Sequence, residues 1–161
     1  MKKNCSLIIG STGFIGSSLL EIIDTEKEIF TISRSHLDRS NHFQIDISNL
    51  EIFRDTLFRL SDEYEKLDIY FLAGESSVDS SVSKPVSSFS ESVIPFLTLL
   101  ESMKNKSSTI VYSSTGAIYD SREETCFDEN SALYPPSPYA ASKHACEGIA
   151  MSYHETYDLD V

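Results

Sequence analysis

The sequence predicts an α/β protein, a doubly wound parallel sheet with helices on both faces, and three observations carry that prediction. Five short apolar runs, rich in branched and aromatic residues, alternate along the 161 residues with segments whose apolar positions recur at helical spacing. The first run ends in a glycine-spaced turn, GSTGFIG (10–16), that leads directly into a helix. No internal repeat or linker breaks the alternation, and buried strands alternating with helices call for parallel pairing with crossovers packed on the sheet.

Taken in order, CSLII (5–9) is the first strand, and Leu19, Leu20, Ile22 and Ile23 mark the helix after Gly16. EIFTI (28–32) and HFQI (42–45) read as strands two and three. Leu50, Phe53, Leu57 and Leu60 then form one face of the helix leading to strand four, DIYFLA (68–73). The serine-rich segment 76–88, SSVDSSVSKPVSS, has a linker's composition, but Val86, Phe89, Val93, Leu97, Leu100 and Met103 resume a helical register at once. TIVYS (109–113) is the fifth strand. A turn-rich loop runs through PPSP to a helix from about Pro138 to Tyr157, and LDV (159–161) reads as the opening of another strand with no room to form.

Composition limits the partners. Thirteen basic residues against 25 acidic give a formal charge of −12, a field that repels nucleic acid and anionic lipid, so a bound phosphate must be held locally. Three cysteines without a CxxC pair encode neither a disulfide framework nor a zinc site, and His36, His42, His144 and His154 are scattered, so no metal is expected. The apolar run after Lys2 and Lys3 is too short for a secretion signal, and no stretch reaches the length of a membrane span. The expectation is a soluble cytoplasmic protein.

Between a strand and a helix, Gly10 allows a turn, Gly13 removes a side chain where backbone would meet a pyrophosphate, and Gly16 lets helix and strand pack closely. A glycine turn without a ligand is the competing reading. The second strand ends in Ser33 and Arg34 instead of the acid that receives the ribose hydroxyls of NAD, which favours the 2′-phosphate of NADP; Arg34 as a solvated loop charge is the alternative. Asp46, after the third strand, is placed either to accept from an adenine amino group or to begin a turn.

Tyr139 and Lys143, in YAASK, lie one helical turn apart and share a face. An ammonium beside a phenol favours the phenolate and makes a usable acid/base near neutral pH. Chance produces such a pair often enough that the motif alone proves nothing. The hydroxyls of SST (113–115) at the carboxyl end of strand five supply the group that would polarise a substrate oxygen, at the edge where such sheets bind ligands.

Together GSTGFIG, QIDIS (44–48), FLAGESSVDSSVSKP (71–85), VYSSTGAIYD (111–120) and ENSALYPPSPYAASKHACE (129–147) make the chain resemble the extended short-chain dehydrogenase/reductase superfamily, the NAD(P)-dependent nucleotide-sugar epimerases and dehydratases. The resemblance implies a Rossmann fold over residues 1–161, with cofactor contacts from Gly10, Thr12, Gly13, Phe14, Ile15, Gly16, Ser33, Arg34, Asp46, Ile47, Leu72, Ala73, Gly74, Ser113, Tyr139 and Lys143. It implies Thr115 as the hydroxyl on the substrate oxygen, with Ser114 or Ser113 as alternatives, Tyr139 as acid/base, and Lys143 on the nicotinamide ribose. The implied reaction begins with hydride removal from a sugar carbon to the dinucleotide while Tyr139 takes the hydroxyl proton. The implied setting is polysaccharide synthesis, and the implied assembly a homodimer through the helices after strands four and five.

The chain departs from that pattern. Ser92 stands for a usual Asn, Pro95 for a Gly and Asp120 for the Gly after the strand-five Tyr119, while Gly116 and Ala117 replace the acid pair of many dehydratases, which favours an epimerase or reductase outcome. Family members continue for about as many residues again, so the sheet is expected to stop before its sixth strand and the carboxyl-terminal substrate domain to be absent. Two functions stay open: the cofactor half of a nucleotide-sugar enzyme, or a non-catalytic dinucleotide-binding remnant or module. A flavodoxin-like or regulatory domain that binds no dinucleotide would leave the joint placement of glycines, hydroxyls and Tyr139 unexplained.

Overall fold

A computed structural model describes residues 3–23, 26–120, 122 and 126–161. The apolar runs become five parallel strands: β1 (Asn4–Ile9), β2 (Glu28–Ser33), β3 (His42–Gln44), β4 (Lys66–Phe71) and β5 (Ser108–Tyr112). They lie in the order β3-β2-β1-β4-β5. Every pairing is parallel, and β1 is hydrogen-bonded to β2 on one side and to β4 on the other. The strand order therefore reverses direction at β1, the place where a doubly wound sheet opens a crevice at its carboxyl edge.

Five α-helices complete the architecture: α1 (Phe14–Ile22), α2 (Leu50–Glu63), α3 (Val78–Ser83), α4 (Pro85–Met103) and α5 (Pro138–Tyr157). Right-handed crossovers running in opposite directions from β1 place α1 on one face and α2, α4 and α5 on the other. The core fills the second face. Cys5, Leu7, Ile9, Ile32, Leu67, Ile69, Phe71 and Ile110 from the sheet meet Phe53, Leu57 and Leu60 of α2, Phe96, Leu99, Leu100 and Met103 of α4, and Cys146 of α5. The two Phe rings at its centre, Phe71 and Phe96, pack edge to face at 5.2 Å.

The boundaries of α5 fall where the sequence puts them, because Ser137 caps the first turn through the Ala140 amide and Asp158, at φ 55°, ends the last. The serine-rich segment 76–88 is helical, with Ser77 capping α3 through the Ser80 amide. The helical register of α4 needs correction in its first half. Val86 and Phe89 are exposed, and Ser88, Ser92 and Pro95 face inward instead. Small hydroxyl side chains let the backbones of α4 and α5 approach closely, and a hydrophobicity pattern has no way to score that preference. Likewise Leu50 and Ile22 are exposed, whereas Phe53, Leu57 and Leu60 are buried as expected.

Pro95 does not interrupt α4, which continues to Met103 although Pro95 has no N–H to give the Glu91 carbonyl. Beyond α5 the chain returns to the sheet. Asp160 bridges Thr109 in parallel register, its carbonyl accepts from the Ile110 amide at 2.8 Å, and its carboxylate accepts from the Thr109 hydroxyl at 2.6 Å. The strand opening read from LDV is therefore on the free edge of β5. Among the described residues no helix is long and apolar enough to cross a membrane, and no cluster of His, Cys, Asp and Glu could hold a metal ion.

Candidate active site

The β1–α1 turn is built by sterics. Gly10 sits at φ +94°, and a Cβ there would lie 2.8 Å from the Ala73 amide nitrogen. A Cβ on Gly16 would lie 2.2 Å from the Gly10 carbonyl oxygen, so only hydrogen lets α1 pass this close to the turn. Gly13 begins α1 without a side-chain cap, which leaves the amides of the first turn without a partner from the helix itself. Phe14 and Ile15 stand 90% and 57% exposed beside them. An uncapped helix start, with glycine at both ends of the turn before it, is the cradle that a pyrophosphate would fill.

The remaining expected cofactor residues stand along the same carboxyl edge. Ser33 ends β2, with its hydroxyl donating to the Ser35 carbonyl at 2.6 Å, and Arg34 follows it, exposed. Asp46 and Ile47 follow β3. The Asp46 carboxylate accepts from the Ser48 amide and hydroxyl at 3.0 and 2.8 Å, which holds it below the ordinary carboxylate range. Of its two readings the turn is thus present, and one carboxylate oxygen is occupied by it. Leu72, Ala73 and Gly74 follow β4, with the Leu72 amide bonded to the Ile9 carbonyl at 2.8 Å and Gly74 at φ +134°.

Sequence reasoning missed what fastens that last turn. Ser92, noted only as a departure, accepts from the Glu75 amide at 3.2 Å, so its hydroxyl ties α4 to the loop after β4. The Glu75 carboxylate accepts from the amides of Ser76 and Ser77 at 2.8 and 2.9 Å and from the Ser80 hydroxyl at 2.7 Å. These donors, led by the Ser77 amide, hold Glu75 below its usual value. A carboxyl depressed in the folded chain adds stability above its unfolded value and loses it as pH falls through the folded one. Glu75→Gln is therefore expected to lower stability at neutral pH and to flatten its decline below about pH 4.5, checked by urea unfolding across an acid pH series. Parallel curves for the two proteins would show that Glu75 is not linked to folding.

At the other side of the crevice, β5 ends at Tyr112 and the chain runs through Ser113, Ser114 and Thr115 into a 3-10 turn, Gly116–Ile118. Thr115 is partly buried and its hydroxyl accepts from the Ala117 amide at 3.2 Å. Tyr139 and Lys143 occupy the first two turns of α5. The Tyr139 amide donates to the buried Ser81 hydroxyl at 3.0 Å, which binds the start of α5 to α3. Lys143 is 6% exposed, and its ammonium donates to the Ser113 carbonyl at 2.9 Å. Burial pushes it below the ordinary lysine range. The lysine thus joins α5 to the end of β5 beside the strand-five hydroxyls.

Asp120, another departure, turns back on its own loop. It takes a bidentate pair from Arg122 at 2.8 and 2.7 Å, which depresses its carboxyl to about 2, and the guanidinium stacks 3.7 Å from the Tyr134 ring centroid. The loop is closed further by a bridge between Tyr119 and Leu133.

The model of the GDP-mannose 4,6-dehydratase family matches residues 7–161. The chain belongs to this family. Like the short-chain dehydrogenase/reductase superfamily expected from its motifs, the family unites nucleotide-sugar dehydratases and epimerases. A dTDP-glucose 4,6-dehydratase of Haemophilus influenzae is 30% identical over 182 residues, covering 96% of this chain and 53% of the relative. A UDP-glucuronate 4-epimerase of Thermodesulfobacterium geofontis is 28% identical, with 96% and 53% covered. Among solved structures, the UDP-glucose 4-epimerase of Thermus thermophilus, in complex with NAD, superposes with a TM-score of 0.80 at 27% identity, over 96% of this chain and 52% of that one. This member of the family spans about half the length of the curated relatives it matches.

Proposed function

We propose that this chain is the dinucleotide-binding half of a nucleotide-sugar epimerase or reductase, with Thr115, Tyr139 and Lys143 as its catalytic trio. The observation that carries the reading is the convergence on one sheet edge of an uncapped helix start over glycines and a buried lysine fastened to the end of β5. Pyrophosphate would lie on the amides of Thr12 to Gly16, and the adenosine end between Ser33, Arg34, Asp46, Ile47 and the turn of Leu72, Ala73 and Gly74. Ser113, Tyr139 and Lys143 would bound the nicotinamide end. The relatives that carry NAD support a dinucleotide here.

A bound nicotinamide supplies an acceptor for hydride from a sugar carbon. On this chain's side, Tyr139 as phenolate takes the proton of the hydroxyl on that carbon, Thr115 donates to the oxygen that becomes a carbonyl, and Lys143 holds Tyr139 and a ribose in place. Gly116 and Ala117 offer no carboxylate for abstracting a proton beside the carbonyl, which favours epimerisation or reduction over dehydration. Polysaccharide precursors are the substrate setting the family supports, and α4 with α5 is the face for a homodimer. A dinucleotide-binding module without a substrate site is the second reading.

Calorimetric titration with NADP and then NAD is the test. Arg34 is the residue assigned to a 2′-phosphate, because the Ser33 hydroxyl already donates to Ser35. One charge-assisted bond of about 1.5 kcal/mol is worth roughly tenfold, so NADP is expected to bind about tenfold more tightly and Arg34→Ala to erase the difference. Equal or tighter binding of NAD, unchanged by that substitution, would return Arg34 to the solvated surface. No binding of either nucleotide would overturn the reading for this chain.

A further inference from the structure

The buried ammonium of Lys143 lacks the partner such a charge ordinarily needs. None of the ion pairs among the described residues includes it, and a single carbonyl, that of Ser113, accepts from it. The charge has one other support. Tyr112, the last residue of β5, presents its ring to the ammonium with the centroid 4.9 Å away. That ring is itself fixed, tilted against Phe96 at 4.4 Å and against Phe71 at 6.2 Å. Its hydroxyl is buried beside the Cys146 thiol, a weak partner at most. What the side chain offers the ammonium is therefore its π face.

We propose that Tyr112 is a positioning residue: its ring face seats the Lys143 ammonium and aims it past the Ser113 carbonyl into the crevice. The negative face of a desolvated ring attracts a cation with a strength comparable to a good hydrogen bond, and it does so without adding a second charge to the site. A carboxylate here would neutralise Lys143 and draw it away from Tyr139; an aromatic ring holds the cation and leaves its N–H bonds free. The titratable groups that act on the Tyr112, Lys143 and Cys146 cluster are Tyr139 and Glu147 on α5, while α4 and α3 face it with Ser92, Phe96 and Ser81.

The catalytic use of this seat rests on the function proposed above, but the seat itself does not, so the test uses the cofactor-free chain. Lysine side chains carrying a 13C label at Cε are followed by NMR through an alkaline pH series, with Lys143 assigned by the signal missing from Lys143→Met. Wild type is expected to show the Lys143 Cε protons shifted upfield by the ring. Tyr112→Phe keeps that shift and the titration midpoint, because it keeps the ring face and removes only a hydroxyl whose neighbour is a weakly bonding thiol. Tyr112→Leu loses the upfield shift and binds the Lys143 proton about tenfold more weakly, the loss of a desolvated cation–π contact. An unshifted Lys143 signal in wild type, or an unchanged midpoint in folded Tyr112→Leu, overturns the proposal. If Tyr112→Leu does not fold, the wild-type shift and its retention in Tyr112→Phe still decide it. A seated Lys143 in a chain that fails to bind NAD or NADP would sink the functional reading and leave the seat standing.

Discussion

Gly16→Ala is expected to destabilise the chain by about 2–3 kcal/mol and to weaken dinucleotide binding at least a hundredfold. The added methyl would lie 2.2 Å from the Gly10 carbonyl oxygen and 2.9 Å from the Ser11 Cα, and both contacts are backbone, so no side chain can swing away. Relief requires α1 to move outward or the Gly10 turn to open. Either shift displaces the amides that would meet the pyrophosphate. Two further glycines separate folding from binding. At Gly13 the nearest atom to an added Cβ is the Gly10 oxygen at 3.3 Å, a contact a small shift can absorb. Gly13→Ala should therefore fold close to wild type while binding poorly, because its methyl enters the space the phosphate needs.

Gly148 has nothing within 4 Å of an added Cβ and lies inside α5, so Gly148→Ala should stabilise by up to about 1 kcal/mol through helix propensity. Urea unfolding and calorimetry on the three variants check the set. Wild-type stability and binding in Gly16→Ala would mean that α1 is not pinned to the turn as the distances require.

The second large effect concerns chemistry. Where a nucleotide sugar is turned over, the expected signal is transient reduction of the bound nicotinamide, weak in this chain alone, and Tyr139→Phe should slow it by about 10²–10⁴, the usual contribution of a positioned acid/base. The same substitution should weaken NAD(P) binding by no more than about tenfold, the worth of one hydrogen bond at most. Absorbance of the reduced nicotinamide reads the first quantity and calorimetry the second. Equal activity in the two proteins would remove Tyr139 from its role. A wild-type chain that binds the dinucleotide yet shows no transient reduction of it and no change in any nucleotide sugar would favour the module reading for this chain.

The elements legible in the sequence were those whose cause is local. Apolar runs and helical spacing located all five strands and helices α1, α2 and α4, the last with its first half in the wrong register, and the PPSP loop located the start of α5, since a strand buried on both faces must be apolar throughout and a helix packed on one side must be apolar at helical spacing. The glycine turn was legible because a positive φ at Gly10 and a backbone contact at Gly16 exclude side chains whatever the rest of the chain does. Tyr139 and Lys143 were visible as a pair because four residues of helix make one turn.

What stayed hidden is what only distant segments decide. The inward face of α4 carries Ser88 and Ser92, which a hydrophobicity pattern assigns to solvent; helix proximity and the Glu75 amide, 17 residues away in sequence, give Ser92 its place. Tyr112 read as one more apolar strand residue until the fold set Lys143 over its ring from 31 positions further along. The chain by itself thus determined its family, its parallel doubly wound sheet, and the residue types at the cofactor edge, because these follow from local sterics, periodicity and motif. Only the tertiary structure decided which hydroxyls fasten the loops and what keeps a buried lysine in place, because hydrogen bonds and desolvated charges depend on partners that chain order does not bring together.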